Sequence, residues 1–142
     1  GLIAGMAHYL EQINSSVELL GVEPTGAASF AQSLENGSAV RINKVETIAD
    51  SLGAPMAMDF SFNIAKKRVN QVEKVTDDEI RRAMITMRDR LGFIVEPACA
   101  TSLAGLLERY TRQCEGKKVG ISACGSNISF ERYNEILKDY KD

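Results

Sequence analysis

The side chains of this chain that could do chemistry are few and scattered. Cys99, Cys114 and Cys124 show no Cys-x-x-Cys spacing, and His8 is the sole histidine. A Cys/His zinc site needs several such ligands in paired spacings, so the sequence does not support one. Lys66, Lys67 and Arg68 read as a solvated face, with neither lysine assigned a covalent role, and His8 reads as a surface or core residue. Four other places differ because glycine or proline shapes the chain around them: Gly1-Leu2, Gly21-Val22-Glu23-Pro24, Val95-Glu96-Pro97 and Cys124-Gly125-Ser126-Asn127. A glycine before a helix permits close backbone approach and offers the helix N-terminus to an anion. Each residue also has a plain alternative. Gly1 could simply start a helix, Glu23 could cap one, Glu96 could be a solvated strand-end carboxylate, and Cys124 could be a buried, inert thiol.

The elements that must position these residues follow from hydrophobic periodicity. Leu2, Ile3, Met6, Leu10 and Ile13 predict an amphipathic helix over 2–14, and the mostly apolar run 17–22 predicts a buried strand ended by Glu23-Pro24-Thr25-Gly26. A short helix over 27–34 leads to an Asn36-Gly37 turn. Residues 38–58 read as loop with one short element, 59–69 as a helix and 71–75 as a strand. Thr76-Asp77-Asp78-Glu79 is a capping box, followed by Ile80, Ala83, Met84, Met87 and Leu91 on one face. Phe93-Ile94-Val95 is a short apolar run. A helix from about residue 98 carries Leu103, Leu106, Leu107 and Tyr110. Residues 118–122 predict a strand and 129–140 a last helix with Phe130, Tyr133, Ile136, Leu137 and Tyr140 inward. Strands alternating with helices predict an α/β fold with a mostly parallel sheet flanked by helices. Ligands in such sheets gather at the carboxyl ends of strands, which singles out the loops after Val22, Val75, Val95 and Ser122.

Composition narrows the class. At 142 residues the chain is one α/β unit in size, with 44% apolar and 25% charged residues. A net charge of −2 without a basic patch, and the absence of tryptophan, argue against a nucleic-acid partner. No run approaches the roughly 20 apolar residues of a membrane span. Three unpatterned cysteines argue against a disulfide framework and favour the reducing cytoplasm. The start, Gly-Leu-Ile-Ala-Gly, has no initiator methionine and no basic leader, which suggests a fragment, a processed chain or a trimmed one.

Five segments in register carry a resemblance: Gly1-Leu2-Ile3-Ala4-Gly5, Gly21-Val22-Glu23-Pro24 with Thr25-Gly26-Ala27-Ala28-Ser29-Phe30, Thr47-Ile48-Ala49-Asp50, Val95-Glu96-Pro97-Ala98-Cys99 and Ala123-Cys124-Gly125-Ser126-Asn127-Ile128-Ser129. In order and spacing they resemble the C-terminal portion of the fold type II pyridoxal-phosphate (PLP) enzymes, and within these the serine/threonine dehydratases, whose fold is tryptophan synthase β-like. The resemblance implies that Gly1 ends a glycine loop cradling the PLP phosphate, with Leu2 adding a backbone N–H. It implies that Cys124 bonds the pyridine nitrogen, with Gly125 and Asn127 in matching positions and Glu96 near the cofactor. A neutral partner there leaves the ring nitrogen largely unprotonated, which suits β-elimination of water. It further implies a cation site made by Glu23, the carbonyl of Ala27, the oxygen of Ser29 and the carbonyl of Leu52. All-oxygen ligands suit a hard cation, and serine in place of a second carboxylate favours potassium over magnesium. Cys99 and Cys114 are left as structural.

The resemblance also implies parts that do not appear in this sequence. The cofactor-bearing lysine and the serine-asparagine loop for the substrate carboxylate lie N-terminal to the glycine loop in the family. The expectation is a cofactor-supporting half-site that is inactive alone and contains no catalytic residue of its own. Its partners would be the N-terminal half of the enzyme, a small amino-acid substrate and, as the family is often dimeric, a second copy. The reaction implied is removal of water and ammonia from L-serine or L-threonine to give a 2-oxo acid. Serine racemase and hydroxyaspartate dehydratase share these loops and stay open as readings. So does a non-catalytic α/β module that binds a small ligand or a partner chain.

Overall fold

The computed structural model describes residues 1–138 and residue 140. Its sheet has two strands, β1 (Gly21–Pro24) and β2 (Val72–Val75), paired in parallel with Gly21 opposite Val72 and Pro24 opposite Val75. Around it lie α1 (Leu2–Gln12), α2 (Ser29–Asn36), α3 (Asp59–Ala65), α4 (Asp77–Leu91), α5 (Pro97–Gly105), α6 (Thr111–Cys114) and α7 (Phe130–Leu137). Leu106–Tyr110 form a π-helical turn between α5 and α6. The architecture is the expected α/β arrangement with a parallel sheet.

The longest helix follows its sequence signals closely. The Thr76 hydroxyl accepts from the Glu79 amide at 3.2 Å, and the Glu79 carboxylate accepts from the Thr76 amide at 2.7 Å, closing the capping box of α4. Ile80, Ala83, Met84 and Met87 are buried against α5, with Val75, Val95, Cys99, Ala100, Ala104 and Tyr133 in the same core. Gly92 ends α4 in the left-handed conformation at φ 70°, and Leu91, expected inward, is 53% exposed beside it. Gly37 ends α2 the same way at φ 76°, as the Asn36-Gly37 pair predicted.

Other elements depart from their periodicity. α1 was expected to bury Leu2, Met6 and Ile13, yet it buries Ala4 and Ala7 and turns those three outward. It packs on α3 with Ala4 against Ala65 and Val69 and with Ile3 and Ile64 at the edge of the same cluster, so close helix approach decides the face. The first strand forms at 21–24 rather than 17–22, because pairing starts where the Gly21 amide reaches the Gln71 carbonyl at 3.0 Å. The residues before it are held differently: the Arg68 guanidinium donates to the carbonyls of Ser15 at 2.8 Å and Val17 at 3.0 Å. Arg68 is thus a structural clamp and not part of a solvated face.

Residues 118–122 form no strand among the described residues, since no neighbouring strand edge meets their amides and carbonyls. α7 is shorter than the expected 129–140; residue 139 lies outside the described residues. It buries Tyr133 and Ile136 but leaves Phe130 65% exposed. No helix among the described residues is long and apolar enough to cross a membrane.

Two glycines set the packing around β1. A methyl on Gly105 would stand 2.8 Å from Val22 Cγ1 and overlap Cγ2, so α5 lies directly on the strand there. A methyl on Gly26 would overlap the Glu46 carbonyl, and the Glu46 amide donates to the Gly26 carbonyl at 2.9 Å. The turn after β1 is thereby locked against the loop that carries Thr47-Ile48-Ala49-Asp50.

Candidate functional site

Glu96 stands at the N-cap of α5 in extended conformation, with Pro97 fixing the first helical φ. Its amide donates to the Gly125 carbonyl at 3.1 Å, while its own carbonyl accepts from the Cys99 and Ala100 amides at 3.1 and 3.2 Å. The Glu96 carboxylate lies flat over Gly125: a methyl there would stand 2.7 Å from Glu96 Cδ. The Ser102 hydroxyl lies 3.0 Å from the carbonyl oxygens of both Cys99 and Ser122. It fastens the segment leading to Cys124 onto α5. Three of the sequence-selected residues, Glu96, Cys124 and Asn127, are therefore drawn to one end of one helix.

Glu96 and Asn127 share a cavity of about 210 Å³ whose lining includes Ile48, Asp50, Ser51 and Arg132. The Asp77 carboxylate, outside the lining, holds the loop that brings Ile48 to it. The Thr47 hydroxyl donates to one Asp77 oxygen at 2.7 Å, and the Ile48 amide donates to the other at 3.0 Å. Cys124 does not line this cavity; its side chain is exposed on the neighbouring surface of the loop. The buried, inert alternative for that thiol is thus set aside.

Gly1 and Leu2 do not line it either. They open α1, an 11-residue helix with no side-chain cap and no acidic residue in its first turn. The positive end of its dipole is left unopposed, a setting suited to an anion.

The turn after β1 carries the expected cation ligands. Glu23 accepts the Phe30 amide at 3.0 Å on one oxygen and the Ala31 amide at 2.8 Å on the other, capping α2 from seven residues upstream. Burial raises its carboxyl above the ordinary value of 4.5, against the opposing pull of the two amides and Lys74. The alternative of a helix cap is therefore realised. It does not consume the site, because each carboxylate oxygen keeps a further lone pair. Ser29 is buried, and its carbonyl accepts the Ser33 hydroxyl at 2.6 Å. Leu52 closes a 3-10 turn, Asp50–Leu52, that rests on α5, whereas the Glu23 turn is anchored through Glu46. Among the described residues no three His, Cys, Asp or Glu side chains come together, so a cation here would meet mostly neutral oxygens.

Asp77 and Ser102 escaped notice in the sequence. Asp77 reads there as the first-turn acid of a helix, and Ser102 as a mid-helix polar residue. Only the fold places their partners opposite them. His8 is exposed, Cys99 is buried and Cys114 is half-buried.

Comparison with known proteins places the chain in a family. The family described as "Pyridoxal-phosphate dependent enzyme" matches residues 1–125. Phenylserine dehydratase of Ralstonia pickettii is 38% identical over 127 residues, covering 89% of this chain and 39% of that protein. L-threo-3-hydroxyaspartate ammonia-lyase of Saccharomyces cerevisiae is 31% identical over 142 residues, 100% of this chain and 43% of that protein. Among solved structures, maize serine racemase superposes with a TM-score of 0.85 at 32% identity, covering 96% of this chain and 43% of that one. The chain thus spans about two fifths of the length of these curated relatives. It belongs to the pyridoxal-phosphate dependent enzyme family, with the fold of its fold type II, serine/threonine dehydratase-like members.

Proposed function

We propose that the protein to which this chain contributes is a PLP-dependent lyase that removes water and ammonia from a β-hydroxy amino acid, leaving a 2-oxo acid. L-serine and L-threonine are the first candidates. The observation that carries the reading is the loop Cys124-Gly125-Ser126-Asn127 laid on the start of α5, with the exposed cysteine side chain at its head. The residues present suit the cofactor. An uncapped helix N-terminus free of acidic side chains fits a phosphate, and a neutral thiol fits a pyridine nitrogen that is to stay unprotonated.

When bound, PLP supplies an electron sink for breaking bonds at the substrate α-carbon. The chain's own residues bind and orient. The first amides of α1, at Leu2 and beyond, would take the phosphate behind Gly1. Cys124 would meet the ring nitrogen, and Ser102 and Glu96 hold its loop in place through the contacts described above. Asn127 and Glu96 would order polar groups in the cavity beside it. Glu23, Ala27 and Ser29, with Leu52, would hold a potassium ion that stiffens the turn after β1. The cofactor-bearing lysine and the loop for the substrate carboxylate are assigned to the part of the relatives' length that this chain does not span.

The test assays the intact protein with PLP against L-serine, L-threonine, phenylserine and 3-hydroxyaspartate, measuring 2-oxo acid and ammonia. At least one substrate should yield both, and potassium should raise the rate more than magnesium. Cofactor binding without 2-oxo acid from any substrate would overturn the lyase reading. Equal or reversed cation effects would overturn the reading of Ser29. A native mass near that of 142 residues with no visible cofactor absorbance would point instead to a non-catalytic module.

A further inference from the structure

The loop between α2 and α3 is closed on itself. Arg41 and Met56 pair as an antiparallel bridge, and the Ile42 amide donates to the Pro55 carbonyl at 2.8 Å. Compact loops with such a neck are frequently functional. Within this one, Ala49 is fully buried in the larger core, and the 3-10 turn Asp50–Leu52 rests on α5. Ile48, Asp50 and Ser51 line the cavity that Glu96 and Asn127 share. Among the described residues, the side-chain hydrogen bonds that tie the loop to the rest of the chain both end on Asp77. One carboxylate oxygen accepts the Thr47 hydroxyl at 2.7 Å and the other the Ile48 amide at 3.0 Å. The Thr47 hydroxyl in turn accepts the Ala49 amide at 3.1 Å, so the tie reaches the buried residue.

The helix does not need Asp77 for itself. An acid in the first turn opposes the helix dipole, but Asp78 and Glu79 stand in the same turn, and Thr76 with Glu79 closes the capping box. The Asp77 carboxylate is an acceptor on both oxygens, and the loop presents it with one O–H and one N–H. We infer that Asp77 is a positioning residue of the candidate site: seated at the start of α4, it fixes the loop that carries Ile48, Asp50 and Ser51 to the cavity of Glu96 and Asn127. It does not line that cavity, so its loss loosens binding and removes no reacting group. The effect on PLP affinity follows from membership of the family. The effect on substrate rests on the lyase function proposed above.

The test compares the intact protein with its Asp77→Ala, Asp77→Asn and Thr47→Val variants. It measures PLP affinity by absorbance titration, KM and kcat on a hydroxy amino acid that wild type converts, and the urea midpoint. Asp77→Ala should loosen PLP about tenfold, the scale of a lost hydrogen bond to a charged group. It should also raise KM several-fold and leave kcat nearly unchanged. Asp77→Asn should recover most of both losses, because its amide oxygen still accepts from Ile48 and its NH2 can donate to the Thr47 hydroxyl. Thr47→Val should loosen PLP less than Asp77→Ala does, and should cost nothing further when added to it. A lower urea midpoint for Asp77→Ala with PLP affinity and KM unchanged would make Asp77 a structural tie only and overturn the inference. So would failure of Asp77→Asn to recover binding. If Asp77→Ala does not fold, Thr47→Val decides, and an unchanged PLP affinity there overturns the inference. If wild type binds PLP but forms no 2-oxo acid, the lyase reading falls while the PLP titration still decides the role of Asp77.

Discussion

If Cys124 faces the pyridine nitrogen as proposed, a single side chain separates two chemistries. An uncharged group opposite the pyridine nitrogen favours elimination, whereas a carboxylate would hold the ring protonated and strengthen it as an electron sink for other reactions. Cys124→Ser should therefore keep most of the dehydratase activity. Cys124→Asp should lower it at least tenfold and alter the absorbance of the bound cofactor. Steady-state assays with the matching spectra check this, and equal activity of the two variants would refute the assignment. The Glu96 side chain lies on the other side of Gly125, and a larger residue at 125 would have to displace it.

Among the elements, α5 seats the Cys124 loop through Glu96 and Ser102, and its own seat on β1 depends on one glycine. Alanine at position 105 would gain about 0.5–1 kcal/mol in helix propensity. It would also drive a methyl into Val22, at an overpacking cost of about 1–3 kcal/mol. Gly105→Ala should therefore be destabilising in urea unfolding, and Val22→Ala in the same chain should recover part of the loss. An additive double variant would contradict the direct contact.

α4 gives a prediction in pH. Burial works to raise the Glu79 carboxyl, but the Thr76 amide and Arg109 together outweigh it and hold the group below its ordinary 4.5. A carboxylate depressed in the folded state contributes stability that is present above its unfolded value. That stability is lost as pH falls through the lower folded value. Wild type should thus lose stability below about pH 4.5 more steeply than Glu79→Gln, a difference kept modest by partial solvent screening and measured by urea midpoints across pH 3–6.

The molecule as a whole has two cores of unequal size. The larger joins α4, α5 and α7 over the sheet, and Tyr110 ties its far end to β1 by donating to the Gly21 carbonyl at 2.7 Å. Burial pushes that phenol up to about 12, so the bond persists through the neutral range. The smaller core joins α1 and α3 through Ala4, Ala65 and Val69, and leaves Leu2, Met6 and Tyr9 exposed on α1 and Ile13 exposed just after it. Few buried contacts mean a low local opening energy. Amide exchange followed by mass should show α1 losing protection before α4 and α5; simultaneous loss would mean the two cores open as one.

What the sequence by itself determined is local or tied to motif register. The capping box at Thr76-Asp77-Asp78-Glu79 and the Gly37 stop are set by hydrogen bonds within four residues, so they are legible without knowing any neighbour. The order of the Glu23, Glu96 and Cys124 loops likewise identified the family. Tertiary structure decided which faces are buried and which distant groups meet. α1 turns Leu2 and Met6 outward because its buried face is the one that carries Ala4 and Ala7, with Ile3 beside them. Residues 118–122 form no strand because a strand needs a paired edge, and no periodicity supplies one. Asp77 holds Thr47 and Ile48, and Ser102 holds the chain at Ser122, across 20 to 30 residues of sequence. Such pairings depend on where the chain returns in space, and spacing along it does not encode them.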